Sequence, residues 1–384
     1  TGGCGANVRW GGREIVRKKV LWALGLLALA LLVASCAPHA TQDTLKPAGP
    51  TAQTEKNLFV PVFWIAVAVF VLVEGGILFI SLKWRHRKGQ DRLPTQTHGN
   101  TRLEIMWTIA PALILAVVMV PTIGTIWDLA KPPPANALNI TVEGHQWWWG
   151  FVYTDPDMKT TYPPTPTAPV TNGPIHTGDV MVIPTGRPVY LSLASEGGAL
   201  NGGVSGTNPD FEVIHSFWVP ELAGKQDVVP GRTNHILLQA DHPGTYYGQC
   251  AEFCGLQHGK MKFRVVALSQ SDWTAWVANE KLPGATPTDP LAKEGMNTFT
   301  TGSCVACHSV GGTTAAGTAG PNLTHFAAPS HSCFAGCDWD TTDINALKAW
   351  LRDPNAVKLG SKMPNYHLTE DQINQLVAYL ESLK

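Results

Sequence analysis

Two long apolar runs, Phe59–Leu82 and Ile105–Trp127, constrain this chain more than any other feature. Each reaches the ~20 residues that an α-helix needs to cross the hydrocarbon core of a bilayer. Between them stand Lys83, Arg85, Arg87, Lys88, Arg92 and Arg102, and a basic loop between two spans is held on the cytoplasmic side. The chain is therefore predicted to cross inward, return, and leave everything after about residue 128 on the outer face. A buried helical hairpin is the alternative, but run length, the basic loop and the flanking Trp84, Trp107 and Trp127 favour lipid. Only 15 % of the residues are charged, with the apolar ones bunched. A net charge of -1 offers no sign of the clustered basic face that nucleic acid requires.

Residues 1–36 read as an export signal: Arg9, Arg13, Arg17, Lys18 and Lys19 precede a short apolar run, Val20–Ala34. The run ends at Cys36 in a stretch that resembles a bacterial lipobox, which would make Cys36 a lipid-bearing first residue; an ordinary signal or a third membrane helix is the alternative. Residues 1–15 read as an artefact of gene calling, and Cys4 takes no role. Residues 37–57 lack periodicity and read as a linker, with the paired spans 59–82 and 105–127 coming next within residues 58–130. Glu74 falls in mid-span beside Gly75 and Gly76, where a charge is costly and a contact with another helix is expected.

Beyond the spans, β-branched and aromatic runs recur between Pro, Gly and Asn: Leu138–Val142, Trp147–Tyr153, Asp179–Ile183, Val189–Ala194, His235–Ala240 and Met261–Leu268. Such spacing predicts an all-β sandwich or barrel over residues 131–280. Pro163–Pro174 and residues 197–206 break the pattern and read as insertions. A strand ending at Tyr246 and Tyr247 leads into a loop with Cys250, Cys254, His258 and Met261 spaced C-x3-C-x3-H-x2-M. Gly248 and Gly255 would ease its turns. Thiolate, imidazole and thioether form a donor set that copper prefers, whereas structural zinc takes more Cys or His and no Met. A second Cys so close to the first lets two thiolates bridge two metals. The alternative is a Cys250–Cys254 disulfide with Met261 in the core. Against it stand the placing of His258 and Met261 and a further imidazole upstream, His215.

These residues resemble the CuA-bearing subunit II of haem–copper cytochrome c oxidases. That family has D-V-x-H-S-F/W-x-V-P where this chain has Glu212 to Pro220, and Y-Y-G-Q-C-x-E-x-C-G-x-x-H-x-x-M over Tyr246 to Met261. Glu212 stands at the family's Asp position, which is not a ligand. The resemblance implies a multidomain membrane protein, built on a two-helix transmembrane hairpin and an all-β cupredoxin-like Greek-key barrel. It implies a dinuclear copper centre bridged by Cys250 and Cys254 and capped by His215 and His258. Met261 and the backbone carbonyl of Glu252 would be weak axial ligands, with the Glu252 carboxylate on a Mg ion at the boundary with subunit I. Trp147, in the G-H-Q-W-x-W match at Gly144–Trp149, would admit electrons from cytochrome c. Glu104, in the L-E-x-x-W-T match at Leu103–Thr108, would stand at the mouth of a proton channel of subunit I. Without the resemblance, the tryptophans would be core or interfacial anchors and Glu104 a carboxylate facing a helix dipole.

A Pro- and Thr-rich linker, residues 281–290, precedes the last segment, 291–384. Cys304, Cys307 and His308 form C-x-x-C-H, the attachment signature of c-type haem. Gly295 and Phe299 precede it on a helix. Met363 lies 55 residues after His308, and Ile373, Leu376, Val377, Leu380 and Leu383 repeat at helical spacing. Together these resemble an all-α class I cytochrome c domain with one covalent haem on Cys304 and Cys307, His308 and Met363 being its axial ligands. Met296, the rival, shares the helix of the attaching segment. Such His/Met ligation raises the potential. Cys333 and Cys337 are expected to form a disulfide pinning a surface insertion, as suits the outer face; a second metal site with His331 is the alternative. His325, His331 and His367 are expected to face solvent.

The whole resembles subunit II of an aa-type cytochrome c oxidase of a bacterial plasma membrane, with its cytochrome c fused on. Its implied partners are subunits I and III and an upstream donor such as a cytochrome bc-type reductase. Electrons would pass through haem and copper to haem a of subunit I, where oxygen is reduced to water with proton pumping. A quinol oxidase subunit would lack the copper ligands and haem motif. A nitric oxide reductase subunit, or a membrane electron carrier without enzymatic partners, is the remaining alternative.

Overall fold

In a computed structural model of the chain, residues 20, 22–29, 40–85, 96, 98–160, 173–194 and 213–384 are described. The expectations for Cys4, Cys36, Glu212, most of the basic loop and most of both insertions lie outside these residues. Residues 22–29, inside the expected export signal, are helical.

Helix α1 (Pro50–Lys83) and helix α2 (Thr101–Leu129) are both long and apolar enough to cross a membrane, each holding an 18-residue stretch, of mean hydropathy 2.5 and 2.2 respectively. Their apolar side chains are exposed along most of their length, as lipid-facing helices require. Helix α1 begins well before Phe59, within what reads in sequence as a linker. Pro50 presets the first turn, and that turn is seated on the β-domain: Ala52 N–H donates to Leu222 O at 3.2 Å, and Gly224 N–H to Glu55 Oε1 at 2.8 Å. Asn100 caps α2 by accepting from Arg102 and Leu103 N–H, while its own N–H donates to Glu104 Oε1 at 3.1 Å.

Among the described residues ten strands come after the helices: β1 (Leu138–His145), β2 (Trp148–Tyr153), β3 (Ile175–Gly178), β4 (Val180–Pro184), β5 (Val189–Ala194), β6 (His215–Trp218), β7 (Gln226–Val228), β8 (Thr233–Leu238), β9 (Gly244–Cys250) and β10 (Lys262–Leu268). They form two five-stranded sheets, ordered β3-β2-β1-β5-β8 and β4-β10-β9-β6-β7. The pairs β1·β5 and β4·β10 are parallel, so the chain passes between sheets instead of meandering in one. The inner faces close on Trp149, Phe151, Tyr153, Phe217 and Phe263, all fully buried. Phe217 stacks on Phe263 at 4.6 Å between centroids, and Trp149 lies 5.3 Å from Phe263.

Two features of this domain differ from expectation. Strand β9 runs on to Cys250, so the first thiol is fixed by sheet pairing to Phe217 and not by a loop. Gly248 lies within that strand, opposite Phe263, whose ring covers it; a Cβ there would stand 2.2 Å from the ring. Its use is close approach, whereas Gly255, at φ +117°, does serve a turn. Helix α3 (Gln270–Glu280), capped by Ser269, then lays Trp273 and Trp276 against Tyr153.

The last segment is helical: α4 (Pro290–Thr301), α5 (Ile344–Arg352), α6 (Pro354–Val357) and α7 (Glu370–Ser382). Helices α4 and α7 cross at Gly295, where a Cβ would lie 1.9 Å from Gln375 O; only glycine permits that approach. Thr369 and Gln372 form a reciprocal capping box at the start of α7. Between α4 and α5, the short pair β11 (Cys333–Phe334) and β12 (Trp339–Asp340) makes a small hairpin.

Candidate metal and haem sites

At one end of the β-domain β6, β9 and the segment between β9 and β10 bring donor atoms together. Cys250 Sγ, at the end of β9, lies 3.7 Å from Cys254 Sγ and 3.8 Å from Nδ1 of His215, the first residue of β6. Cys254 Sγ in turn lies 3.7 Å from His258 Nδ1 and 3.7 Å from Met261 Sδ. The carbonyl oxygen of Glu252 is 3.2 Å from Cys250 Sγ. His215, Cys250, Cys254 and Met261 are buried, and the ligand atoms of the first three lie within 4.8 Å of one another. A disulfide requires sulfurs at about 2.0 Å, so the two thiols are unbonded and the competing reading fails. Ligands held about 2.0–2.3 Å from one ion at open angles stand roughly 3.5–4 Å apart, which is the spread found here. The donor chemistry suits copper, so the residues fit the group.

The Cys250–Cys254 contact, with His215 and against the cost of burial, holds the Cys250 thiol below its usual range, while the same contact and burial hold Cys254 above it. Among the described residues His215 Nε2 is buried without a hydrogen-bond partner, leaving Nδ1 as the nitrogen aimed at sulfur. The Trp147 indole N–H donates to the Cys254 carbonyl at 3.0 Å, and Gln146 Nε2 donates to the same oxygen at 2.8 Å. Gln146 gives no signal of its own in the sequence beside three tryptophans. The side chains of Glu252 and Phe253 point outward, exposed at the loop's tip.

In the helical domain Cys304 and Cys307 flank a tight turn, both free. His308 Nδ1 lies 2.9 Å from Pro321 O, which orients the ring and leaves Nε2 as its free nitrogen. Burial pushes this imidazole below its ordinary pKa, against the opposing Pro321 bond, so it is neutral and able to ligate. Cys304, Val305, Leu323, Met296 and Met363 all pack against one apolar cluster built on Phe299, Leu376 and Tyr379. An apolar cluster with Cys304 and Met363 packed on it, Cys307 and His308 following within four residues of that thiol, fits haem.

The two sites face one domain boundary. Cys333 and Cys337 are disulfide-bonded, but the hairpin they close is not a surface feature. Both sulfurs approach the backbone oxygen of Asp179, and Gly336 N–H donates to the Asp179 carboxylate at 2.7 Å. Arg264 of β10 pairs with Asp340 and donates to Ser332 Oγ at 2.9 Å. His331 and His325 are buried, contrary to expectation. His331 Nε2 sits 3.0 Å from Glu280 Oε1, and the His325 ring lies between the carbonyls of Leu282 and Lys384. His367 is exposed as expected. A cavity of about 270 Å³ separates Trp148 and His176 from Ser309 and Pro321 across the same boundary.

A copper-binding β-sandwich on two membrane helices, joined to a haem-binding helical domain, defines an electron-transfer subunit of a membrane complex. Residues 138–268 match the family described as cytochrome c oxidase subunit II, periplasmic domain. Residues 38–124 match its transmembrane domain, and residues 292–384 match cytochrome c. Cytochrome c oxidase subunit 2 of Alkalihalophilus pseudofirmus is 38 % identical over 94 % of this chain and 96 % of its own length. That of Bacillus sp. strain PS3 is 35 % identical over 93 % and 95 %. A crystal structure of the periplasmic domain of subunit II of cytochrome oxidase from Bradyrhizobium japonicum is 25 % identical, covering 39 % of this chain and 97 % of that one, with a TM-score of 0.29. The chain belongs to the cytochrome c oxidase subunit II family, with a fused cytochrome c domain. It is accordingly a copper- and haem-binding subunit of a haem–copper oxidase complex that contains subunit I, anchored in the membrane with its folded domains on the outer face.

Proposed function

We propose that the chain takes electrons singly from an outer donor, such as a cytochrome bc-type reductase, into its haem domain and hands them to haem a of subunit I. The complex would be an aa-type oxidase, also containing subunit III, that reduces oxygen to water and pumps protons. When bound, a covalent haem and a pair of coppers supply the one-electron couples. Cys304 and Cys307 would hold the first, with His308 and Met363 available to its iron. Cys250 and Cys254, with His215, His258, Met261 and the Glu252 carbonyl, would hold the second. The Glu252 carboxylate, exposed at the loop tip, is available to a Mg ion at the subunit I boundary.

One observation carries this reading. Trp147 is 7 % exposed, its indole bonded to the Cys254 carbonyl on one side and covered by Gly360, three residues before Met363, on the other. A single side chain thus touches the thiol-bearing loop and the segment of the proposed iron ligand. The family's point of electron input is here occupied by the chain's own haem domain, which replaces diffusional docking by a tethered donor at high effective concentration. Glu104 is assigned to proton uptake at the inner end of α2, and Cys36 to lipid attachment after export. Oxygen consumption by the purified complex, fed by a soluble reductant, tests the reading: turnover with oxygen supports it, and turnover with nitric oxide alone refutes it.

A further inference from the structure

Lys358 is 2 % exposed, at the end of α6 and five residues before Met363. Its ammonium donates to Trp147 O at 3.2 Å, Lys260 O at 2.7 Å and Ala335 O at 2.5 Å. An ammonium has three donors and no acceptor, so every one is used. The three carbonyls come from three places: the Trp147 loop, the copper loop between His258 and Met261, and the disulfide hairpin. Its charge is met by Asp338 at 3.5 Å and by the buried Asp179. Adjacent residues extend the grip. Gln257 Nε2 donates to Leu359 O at 2.7 Å, and Gly360, at φ +83°, brings its bare α-carbon against the Trp147 ring. Burying a lysine is costly unless it is fully bonded and paired. Two of its three acceptors belong to the other domain, so the haem domain's own fold does not account for that cost.

We propose that Lys358 is the positioning residue of electron transfer within this chain, a latch that fixes the Met363 segment against both Trp147 and the copper loop. The proposal rests on the function given above. One electron leaves the haem and one arrives at the copper centre; no bond forms or breaks and no proton is needed. The rate therefore depends on how closely and how constantly the two segments are held. A domain released from the latch must find its docked position before each transfer.

The test uses the purified oxidase complex containing the full chain. Haem is reduced by a light flash, and its reoxidation is followed against reduction of copper as glycerol raises the viscosity. Wild-type transfer is expected to ignore viscosity. Lys358→Met should slow it and make it viscosity-dependent, with the haem and copper spectra unchanged. Gly360→Ala, which pushes a methyl group toward Trp147 without touching a charge, should do the same more weakly. Hydrogen exchange should quicken at residues 335–337 and 358–361 in Lys358→Met and stay unchanged in α4 and α7. Wild-type rate and viscosity behaviour in Lys358→Met would overturn the proposal. So would loss of the haem spectrum in that variant combined with a wild-type rate in Gly360→Ala, which marks a purely structural role. A wild-type complex passing no electron from haem to copper would overturn the functional reading and the latch together.

Discussion

Asp179 holds the joint between the outer domains with one side chain. It sits at φ +58° between β3 and β4, and its carboxylate accepts from Trp149 N–H at 3.0 Å and Gly336 N–H at 2.7 Å. Burial pushes its pKa up to about 6, although both N–H groups and Lys358 pull the other way. An unfolded Asp titrates near 3.9, so between these values the folded chain binds the extra proton. The resulting stabilisation is complete below about pH 4 and is lost as pH rises through about 6, a change on the order of 3 kcal/mol. Asp179→Asn removes that titration while keeping an acceptor. Its stability relative to wild type should improve steadily across the window in denaturant melts, and a flat difference would contradict the assignment. Gly248→Ala should destabilise by about 1–3 kcal/mol through overpacking against Phe263, read as a lower melting temperature. Residues such as Cys250, Cys254, His258 and Met261 are legible in the sequence because their chemistry is local in the chain. Lys358 and Asp179 are not, since a lysine in a polar loop reads as solvated until partners from distant segments enclose it.

Among elements, the long helices and the strands with strong β-branched runs stand out in the sequence because each carries its own periodic signal. Strand β5 lies where the sequence puts it, whereas β3, β6 and β7 span only four, four and three residues and are too short to announce themselves. Strand β6 shows the consequence: His215 is recognisable as a ligand by motif, yet only the pairing of β6 with β9 explains how it meets Cys250. The hairpin β11·β12 departs from expectation for a similar reason, as nothing local in Cys333 to Asp340 tells a surface insertion from a docking element. At the start of α2, the observed role of Glu104 can be separated from its proposed one. Its carboxylate accepts from Asn100 N–H, a contact worth about 0.5–2 kcal/mol at a helix end, and it is assigned to proton uptake. Glu104→Ala should slow proton uptake in the assembled complex, while Glu104→Gln keeps the cap and should slow it equally. Normal uptake in Glu104→Gln would leave capping as its only task.

At the scale of the molecule, Lys358, Arg264, the disulfide hairpin and the Glu280–His331 pair all act across one boundary, and that boundary places a proposed iron ligand beside the thiol loop. Linker composition at residues 281–290 leaves the placement of the haem domain open; the buried polar contacts define a docked one. What joins the levels is that the sequence names the two metal-binding segments, the sheet and helix crossings shape each, and the boundary decides that they meet. All of it presupposes that Cys250 and Cys254 share metal while Cys304 and Cys307 carry haem. Copper analysis of the purified complex, paired with mass spectrometry of this chain, tests that most directly. Two coppers assigned to this chain, and a polypeptide heavier by one covalent haem, are predicted. One copper, or a Cys250–Cys254 disulfide with none, would contradict the account.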